Sequence, residues 1–360
     1  RAAGHEVITS VPKAAIDGLK SRQDFSKLPE TTQAELRATE MLAFDAINQT
    51  NIVQKTNPDV IICGHWPALT LTTKPSQILI IDLAGPHLLE RHYQGESNHT
   101  DAVLGKLSVL AAADYFIVSG AKQRLYFLSF LNRAAVEQAE KRIITITMPL
   151  NPELPIRSEF AGNSQQYPRM LFGGVFLPWQ DPRPGLDGAV AALEKHNSGS
   201  LKLIGGEHPN YKINGGVYQE LFSRLAKNPQ VTVNPMLPFE QFIEEMLKAD
   251  IAIDLMAWNL ERQLAVTIRS TTYLWAGLPV LYNNFADLAD LINQYDAGWC
   301  IDPTDKIGLA STFDEIFNKR ELVIQKGLNA SRLAAEHFAW DLAVKPLLDL
   351  FGPRQEAKRY

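Results

Sequence analysis

Cysteine is close to absent from these 360 residues: Cys63 and Cys300 stand far apart, each within an apolar, strand-like run. Two such residues cannot build a disulfide framework, and no Cys/His spacing suits zinc. Both read as buried thiols, and a reducing cytoplasm is the expected compartment. No apolar run reaches the ~18 residues that a membrane span needs, and no signal peptide is expected. Membrane contact is therefore expected to be peripheral at most. A Gly-x-Gly-x-x-Gly turn after a strand is missing, which excludes a dinucleotide-dependent dehydrogenase. An Asp-x-Asp pair is missing too, so no metal requirement is expected. Excess basic charge is also lacking. The net charge of −5 argues against a nucleic-acid partner, while leaving room for a local basic pocket.

What is present is the make-up of an ordinary globular protein, 46% hydrophobic and 21% charged, long enough for two domains with separate cores. Strand candidates at 60–63, 78–83, 115–119 and 143–147 alternate with amphipathic stretches such as 30–55 and 105–113. Such alternation predicts a parallel sheet with helices on both faces. Residues 149–168 hold four prolines and little apolar periodicity, a linker signature. A second alternation follows, with strand candidates at 169–174, 201–205, 230–234, 250–255, 279–282 and 298–301 and a final amphipathic helix at 338–351. The expected division is an N-terminal Rossmann-like domain over 1–150, a linker over 151–168, a C-terminal Rossmann-like domain over 169–335, and a segment 336–360 packing back on the first domain. Residues 1–4 read as the last turn of a helix with a glycine cap and 5–12 as a strand, so the first strand of the N-terminal domain is expected to precede residue 1. Two α/β domains of doubly wound parallel sheet face a central cleft, where ligands of open α/β sheets bind.

The segment Glu261–Val280 reads as a loop, a helix and a sharp turn, Ala276-Gly277-Leu278-Pro279, into a buried strand. Arg269, Ser270, Thr271 and Thr272 place a guanidinium and three hydroxyls just ahead of the helix. With the free N–H groups of a helix start they form an anion site, the place for a diphosphate in an α/β domain.

Several separated motifs carry a resemblance. They are Gly173-Gly174 followed by Trp179-Gln-Asp181-Pro182, then Gly205-Gly206-Glu-His208-Pro209-Asn210, and the whole of Glu261–Val280. In the first half stand Asp82-Leu-Ala-Gly-Pro86-His-Leu-Leu-Glu90 and Ser119-Gly-Ala-Lys-Gln123-Arg124. In this order, over residues 58–305, the chain resembles nucleotide-sugar glycosyltransferases of the GT-B fold, and among them a branch of the family-four-like retaining enzymes. It departs from their pattern in three places. Thr272 and Leu264 stand where such enzymes keep two glutamates, and the usual Arg/Lys pair after the first C-domain strand is replaced by Arg183 alone.

The resemblance implies a hexosyltransferase that moves a sugar from a nucleotide-diphosphate sugar to an acceptor hydroxyl in polysaccharide or glycoconjugate biosynthesis, retaining and metal-independent. The acceptor, a glycan, lipid-linked glycan or small molecule, is not specified. Charge on the departing diphosphate would be met by fixed dipoles and cations. On the donor side these are the backbone at Gly173 and Gly174, Arg183, His208, the loop at Met236, Arg269, Ser270 and Thr271. Glu261, at the carboxyl end of a C-domain strand, would accept sugar or ribose hydroxyls. Asp82 closes an apolar strand where many relatives carry a histidine, and reads either as a group facing the transferred sugar or as a turn cap. His65 and Glu90 are the acceptor-side candidates, with a surface charge the other reading of Glu90. Trp179 and Trp258 read as sugar platforms and Trp275 as core. The alternative to an enzyme is a catalytically silent GT-B domain serving as a binding or scaffold module.

Overall fold

A computed structural model of the chain describes residues 3–20, 30, 33–34, 37, 42–96, 99–157, 167–207 and 216–351. Among them, ten strands form two parallel sheets. The first sheet holds β1 (Val60–Gly64), β2 (Ile78–Asp82), β3 (Tyr115–Val118) and β4 (Ile143–Thr145), side by side in chain order. The second holds β5 (Arg169–Phe176), β6 (Ser200–Glu207), β7 (Val231–Asn234), β8 (Ile251–Asp254), β9 (Val280–Asn283) and β10 (Gly298–Ile301). Its order is β10-β9-β8-β5-β6-β7, so the winding reverses between β5 and β8. That reversal opens a crevice at the carboxyl ends of those two strands.

The strands form where apolar runs are covered on both sides. In β5, Met170 and Phe172 enter one core while Leu171 enters the other. In β8, Ile251 and Ile253 take the first side and Ala252 the second, and all four residues of β8 are buried. Each large aliphatic side chain so buried contributes about 1.5–3 kcal/mol relative to exposure. A third core surrounds the four-stranded sheet, centred on Ile81, Phe116, Phe127 and Leu131.

Local chemistry sets the helix ends. The helix Arg183–His196 starts after Pro182, carries Pro184 in its first turn, and stops at Asn197 in the left-handed region (φ 47°). The helix Ile268–Trp275 ends at Gly277, whose φ of +66° turns the chain into β9. Arg269, Ser270, Thr271 and Thr272 therefore lie inside the helix rather than ahead of it, because Thr267 is the N-cap residue.

Other boundaries differ from the sequence reading. Residues 5–10 form no strand; the contact there is one bridge from Pro12 to Phe44. Proline lacks the N–H that a ladder needs. Of the helix expected over 30–55, residues 31–32, 35–36 and 38–41 lie outside the described residues, 42–48 are turn and loop, and the helix Gln49–Thr56 forms its end. The single helix expected over 338–351 is two short ones, Trp340–Ala343 and Lys345–Leu348, the second with a proline in its first turn. It lies against β4 of the first sheet. The chain thus crosses between the sheets twice, and the crossings run side by side. Leu150 N–H donates to the Phe338 carbonyl over 2.6 Å, and Trp340 N–H donates to the Leu150 carbonyl over 3.0 Å. Among the described residues, no helix is long and apolar enough to cross a membrane.

Candidate functional site

The crevice between β5 and β8 is built around a carboxylate that the sequence reading missed. Asp254 ends β8 and is 2% exposed. Arg269 Nη1 donates to Asp254 Oδ1 over 2.8 Å, Thr267 Oγ1 donates to Oδ2 over 3.1 Å, and Ser270 Oγ makes a short bond to the same oxygen. The signal was available: an aspartate closing the apolar run Ile251-Ala252-Ile253 is the pattern that singled out Asp82.

Arg269 is held on three more sides. Its Nη2 donates to Gln180 Oε1 over 2.9 Å and to the Val175 carbonyl over 3.4 Å, and its guanidinium lies 5.0 Å from the Phe172 ring centre. Its Nε is buried and has no acceptor among the described residues. Gly174, at φ +141°, makes room for this group: a Cβ there would stand 2.7 Å from Nε and 2.8 Å from Nη2. Gly173 has its own partner. Its N–H donates to Tyr273 Oη over 2.7 Å, and a Cβ would meet the Phe242 ring at 2.4 Å. The glycine pair was expected to bring backbone N–H groups to a phosphate; Gly173 instead packs and bonds internally.

The hydroxyls expected to face an anion are likewise turned inward. Ser270 donates to Asp254, while Thr271 Oγ1 donates to the Ile268 carbonyl over 3.0 Å, and both residues are fully buried. Thr272 Oγ1 bonds the same carbonyl over 2.7 Å. Short hydroxyls inside a helix find the carbonyl three or four residues back. Arg183 opens its helix and chelates Asp181 through Nε at 2.7 and 2.9 Å, on the exposed rim of the crevice. Met236 is half exposed in the loop after β7. His208 lies outside the described residues.

Glu261 was expected to receive ligand hydroxyls. It is buried and forms two bonds with its neighbour Arg262, at 2.6 and 2.8 Å. Burial works against both charges, but for Arg262 the contact with Glu261 outweighs it and holds the guanidinium above its ordinary range. Trp179, read as a platform, is buried and also bonds Glu261. Trp258 is exposed, with Nε1 donating to Gln263 Oε1 over 3.2 Å, and Trp275 is core, its Nε1 donating to the Asn151 carbonyl.

The helix Leu260–Leu264 that carries Glu261 rests against two helices of the first sheet, His87–Tyr93 and Ala121–Arg133. There Glu90 accepts from His87 Nδ1 at 3.1 Å, and its carboxylate is close enough to influence Glu261, Lys106 and Tyr126. Asp82, at the end of β2, is open to solvent within a recess whose crowding raises its carboxyl above the usual range. It caps no turn and makes no side-chain hydrogen bond to the described residues. His65, expected to look into the cleft, is instead 2% exposed, with neither ring nitrogen bonded among the described residues. Burial first, then Lys106 and His87, bring its pKa down to about 4. Lys106, also unnoticed in the sequence, is 1% exposed. Its ammonium has no hydrogen-bond acceptor among the described residues and sits 4.6 Å from the Phe127 ring centre.

No protein-family profile and no curated protein matches the sequence. Solved structures do. A glycosyltransferase from Rickettsia africae ESF-5 superposes over 95% of this chain and 96% of its own, with a TM-score of 0.65 at 14% identity. Anabaena HepE in complex with UDP and glucose matches over 90% of this chain and 89% of its own (TM-score 0.64, 12% identity). TarM of S. aureus matches over 84% of this chain (TM-score 0.62, 15% identity), and this chain spans 57% of TarM. The two parallel sheets, the reversal at β5 and β8 and these superpositions define a GT-B fold.

Proposed function

We propose that the chain is a glycosyltransferase that binds a nucleotide-diphosphate sugar in the crevice between β5 and β8 and passes the sugar to an acceptor hydroxyl held by the first sheet. The observation that carries this reading is the Arg269 Nε–H, a buried donor without an acceptor among the described residues, beside Gly174 at the switch point of the six-stranded sheet. An unmade hydrogen bond at a buried charged donor is costly, and a phosphate oxygen would satisfy it. HepE, of the same fold, has been seen with UDP-glucose, which supports a UDP-sugar as the first donor to try.

In the reaction, the bond from the sugar C1 to the β-phosphate oxygen breaks and a bond from C1 to the acceptor oxygen forms. The acceptor proton ends on the departing diphosphate or on a carboxylate. Arg269, fixed by Asp254 and Gln180, and Arg183 at the rim would meet the charge that develops, with no metal required. Asp82, open at the end of β2 across the cleft, would face the sugar or the acceptor hydroxyl. Retention of anomeric configuration is part of the proposal and follows the motif pattern.

The test is incubation with a panel of nucleotide-sugars, reading thermal shift and released nucleotide, with and without EDTA. No stabilisation and no release with any donor would sink the proposal. Thr272 gives the second reading its footing: it is buried and bonded inside its helix where related enzymes keep a glutamate. Donor binding without turnover would favour a silent binding module.

A further inference from the structure

We propose that Asp287 is an interdomain latch: its carboxylate caps, across the cleft, the N-terminus of the helix Ala121–Arg133 and so sets how far the cleft stays closed. That helix has no cap of its own. Its N-cap residue is Gly120, in extended backbone at φ −165°, ψ 177°, with no side chain to offer. The first turn of a helix leaves its N–H groups without intrahelical partners and carries partial positive charge. Asp287, on the loop just after β9, supplies what is missing. Lys122 N–H donates to Asp287 Oδ2 over 3.1 Å, and the N–H groups of Ala121 and Gln123 bond the same carboxylate.

Two further observations make this a built contact. A Cβ on Gly120 would lie 2.1 Å from Asp287 Oδ2 and 2.7 Å from its Cγ, so the carboxylate occupies the space that any other residue at 120 would fill. The Lys122 side chain crosses in the opposite direction. Its Nζ donates to the Phe285 carbonyl over 2.6 Å and to the Ala286 carbonyl over 3.3 Å. Backbone and side chain of one residue thus grip three consecutive residues of the other sheet's loop. The loop leads directly to the crevice. Asn283, which ends β9, holds the backbone of Met256 through bonds of 3.0 and 2.6 Å, and Met256 lies two residues beyond Asp254. Opening the latch therefore frees the loop that adjoins the Asp254–Arg269 pair.

The latch rests on the fold and not on glycosyl transfer, and its test does not depend on turnover. Small-angle X-ray scattering of the full chain compares wild type with Asp287→Ala, Asp287→Asn and Lys122→Ala, without nucleotide and with UDP as a probe. Losing a helix cap lowers the closed-to-open ratio about fivefold to tenfold. Asp287→Ala should show a larger radius of gyration than wild type and need more UDP to contract. Asp287→Asn, which keeps one acceptor oxygen, should fall between the two. A scattering profile of Asp287→Ala that superimposes on wild type overturns the latch, as does a loss of thermal stability with no change in size. If Asp287→Ala does not fold, Lys122→Ala carries the test: expansion supports the latch and an unchanged profile overturns it.

Discussion

Arg269 and Asp254 form an ion pair at the reversal point of the six-stranded sheet, Nη1 to Oδ1 at 2.8 Å, with side chains 10% and 2% exposed. The pair is a scaffold and, under the proposed function, a site together, because Asp254 fixes the guanidinium while Nε has no acceptor among the described residues. Removing one partner of such a buried pair costs about 3–5 kcal/mol, since the other charge is left uncompensated. Asp254→Ala should lose that much stability in a urea titration. The double variant Asp254→Leu with Arg269→Met separates the two roles: it should recover most of the stability and still fail to bind UDP by calorimetry. Retained UDP affinity in the double variant would remove Arg269 from the donor site.

Gly174 is the second point of sensitivity. At φ +141° with a guanidinium 2.7 Å from where a Cβ would stand, Gly174→Ala meets backbone strain and a collision at once. The strain alone costs of order 1–3 kcal/mol. Displacing Arg269 should also weaken UDP binding by about tenfold or more, equivalent to roughly 1.4 kcal/mol. A Gly174→Ala protein with normal melting temperature and UDP affinity would show that the glycine is incidental.

Lys106 predicts a pH effect. Burial lowers its pKa from 10.5 to about 8, partly opposed by Glu90. Below pH 8 native and unfolded chains both carry the proton, and the native state bears the full cost of a buried charge. Between pH 8 and 10.5 the unfolded chain binds more protons than the native one, so this contribution to stability rises with pH, by about 3 kcal/mol in total. Lys106→Met should therefore stabilise the protein at pH 7 and lose that advantage by pH 10.5. Urea titrations of both proteins at the two pH values check it; an equal difference at both would mean the amine is not buried as charge.

Thr272→Glu, which restores the glutamate of related enzymes, should not restore a site. Thr272 is 4% exposed and its hydroxyl is bonded to the Ile268 carbonyl. Burying an unpaired carboxylate there costs more than about 2 kcal/mol. A stable Thr272→Glu protein that binds UDP more tightly would mean that position 272 still faces the ligand.

The fold was legible because parallel strands covered on both faces read as apolar runs, and all ten runs singled out between 60 and 301 are strands, with ends shifted by a few residues. Boundaries shifted where capping decided them: Thr267 gives no side-chain cap bond, yet begins the helix ahead of Arg269. Around the crevice, the sequence pointed to a segment that lines it but not to the partners within it. Arg269 and Gly174 looked like independent ligand groups, whereas the packing of one explains the other. Asp254 matched the strand-end pattern that singled out Asp82, but its pairing with the arginine 15 residues later is set by packing and not by spacing. His65 and Lys106 could not be ranked either, since burial without a partner is a property of three-dimensional neighbours and not of spacing.

The paired crossings at Leu150 and Ala339 bear on how the two sheets can move. A single connecting strand would let one half swivel freely. Two segments bonded to each other act as a strap hinge, stiff against twisting and sliding and compliant in one bend. Motion of one half over the other is thereby reduced to a nearly one-dimensional path, so that a contact broken anywhere along the facing surfaces changes the angle between the halves and not their alignment.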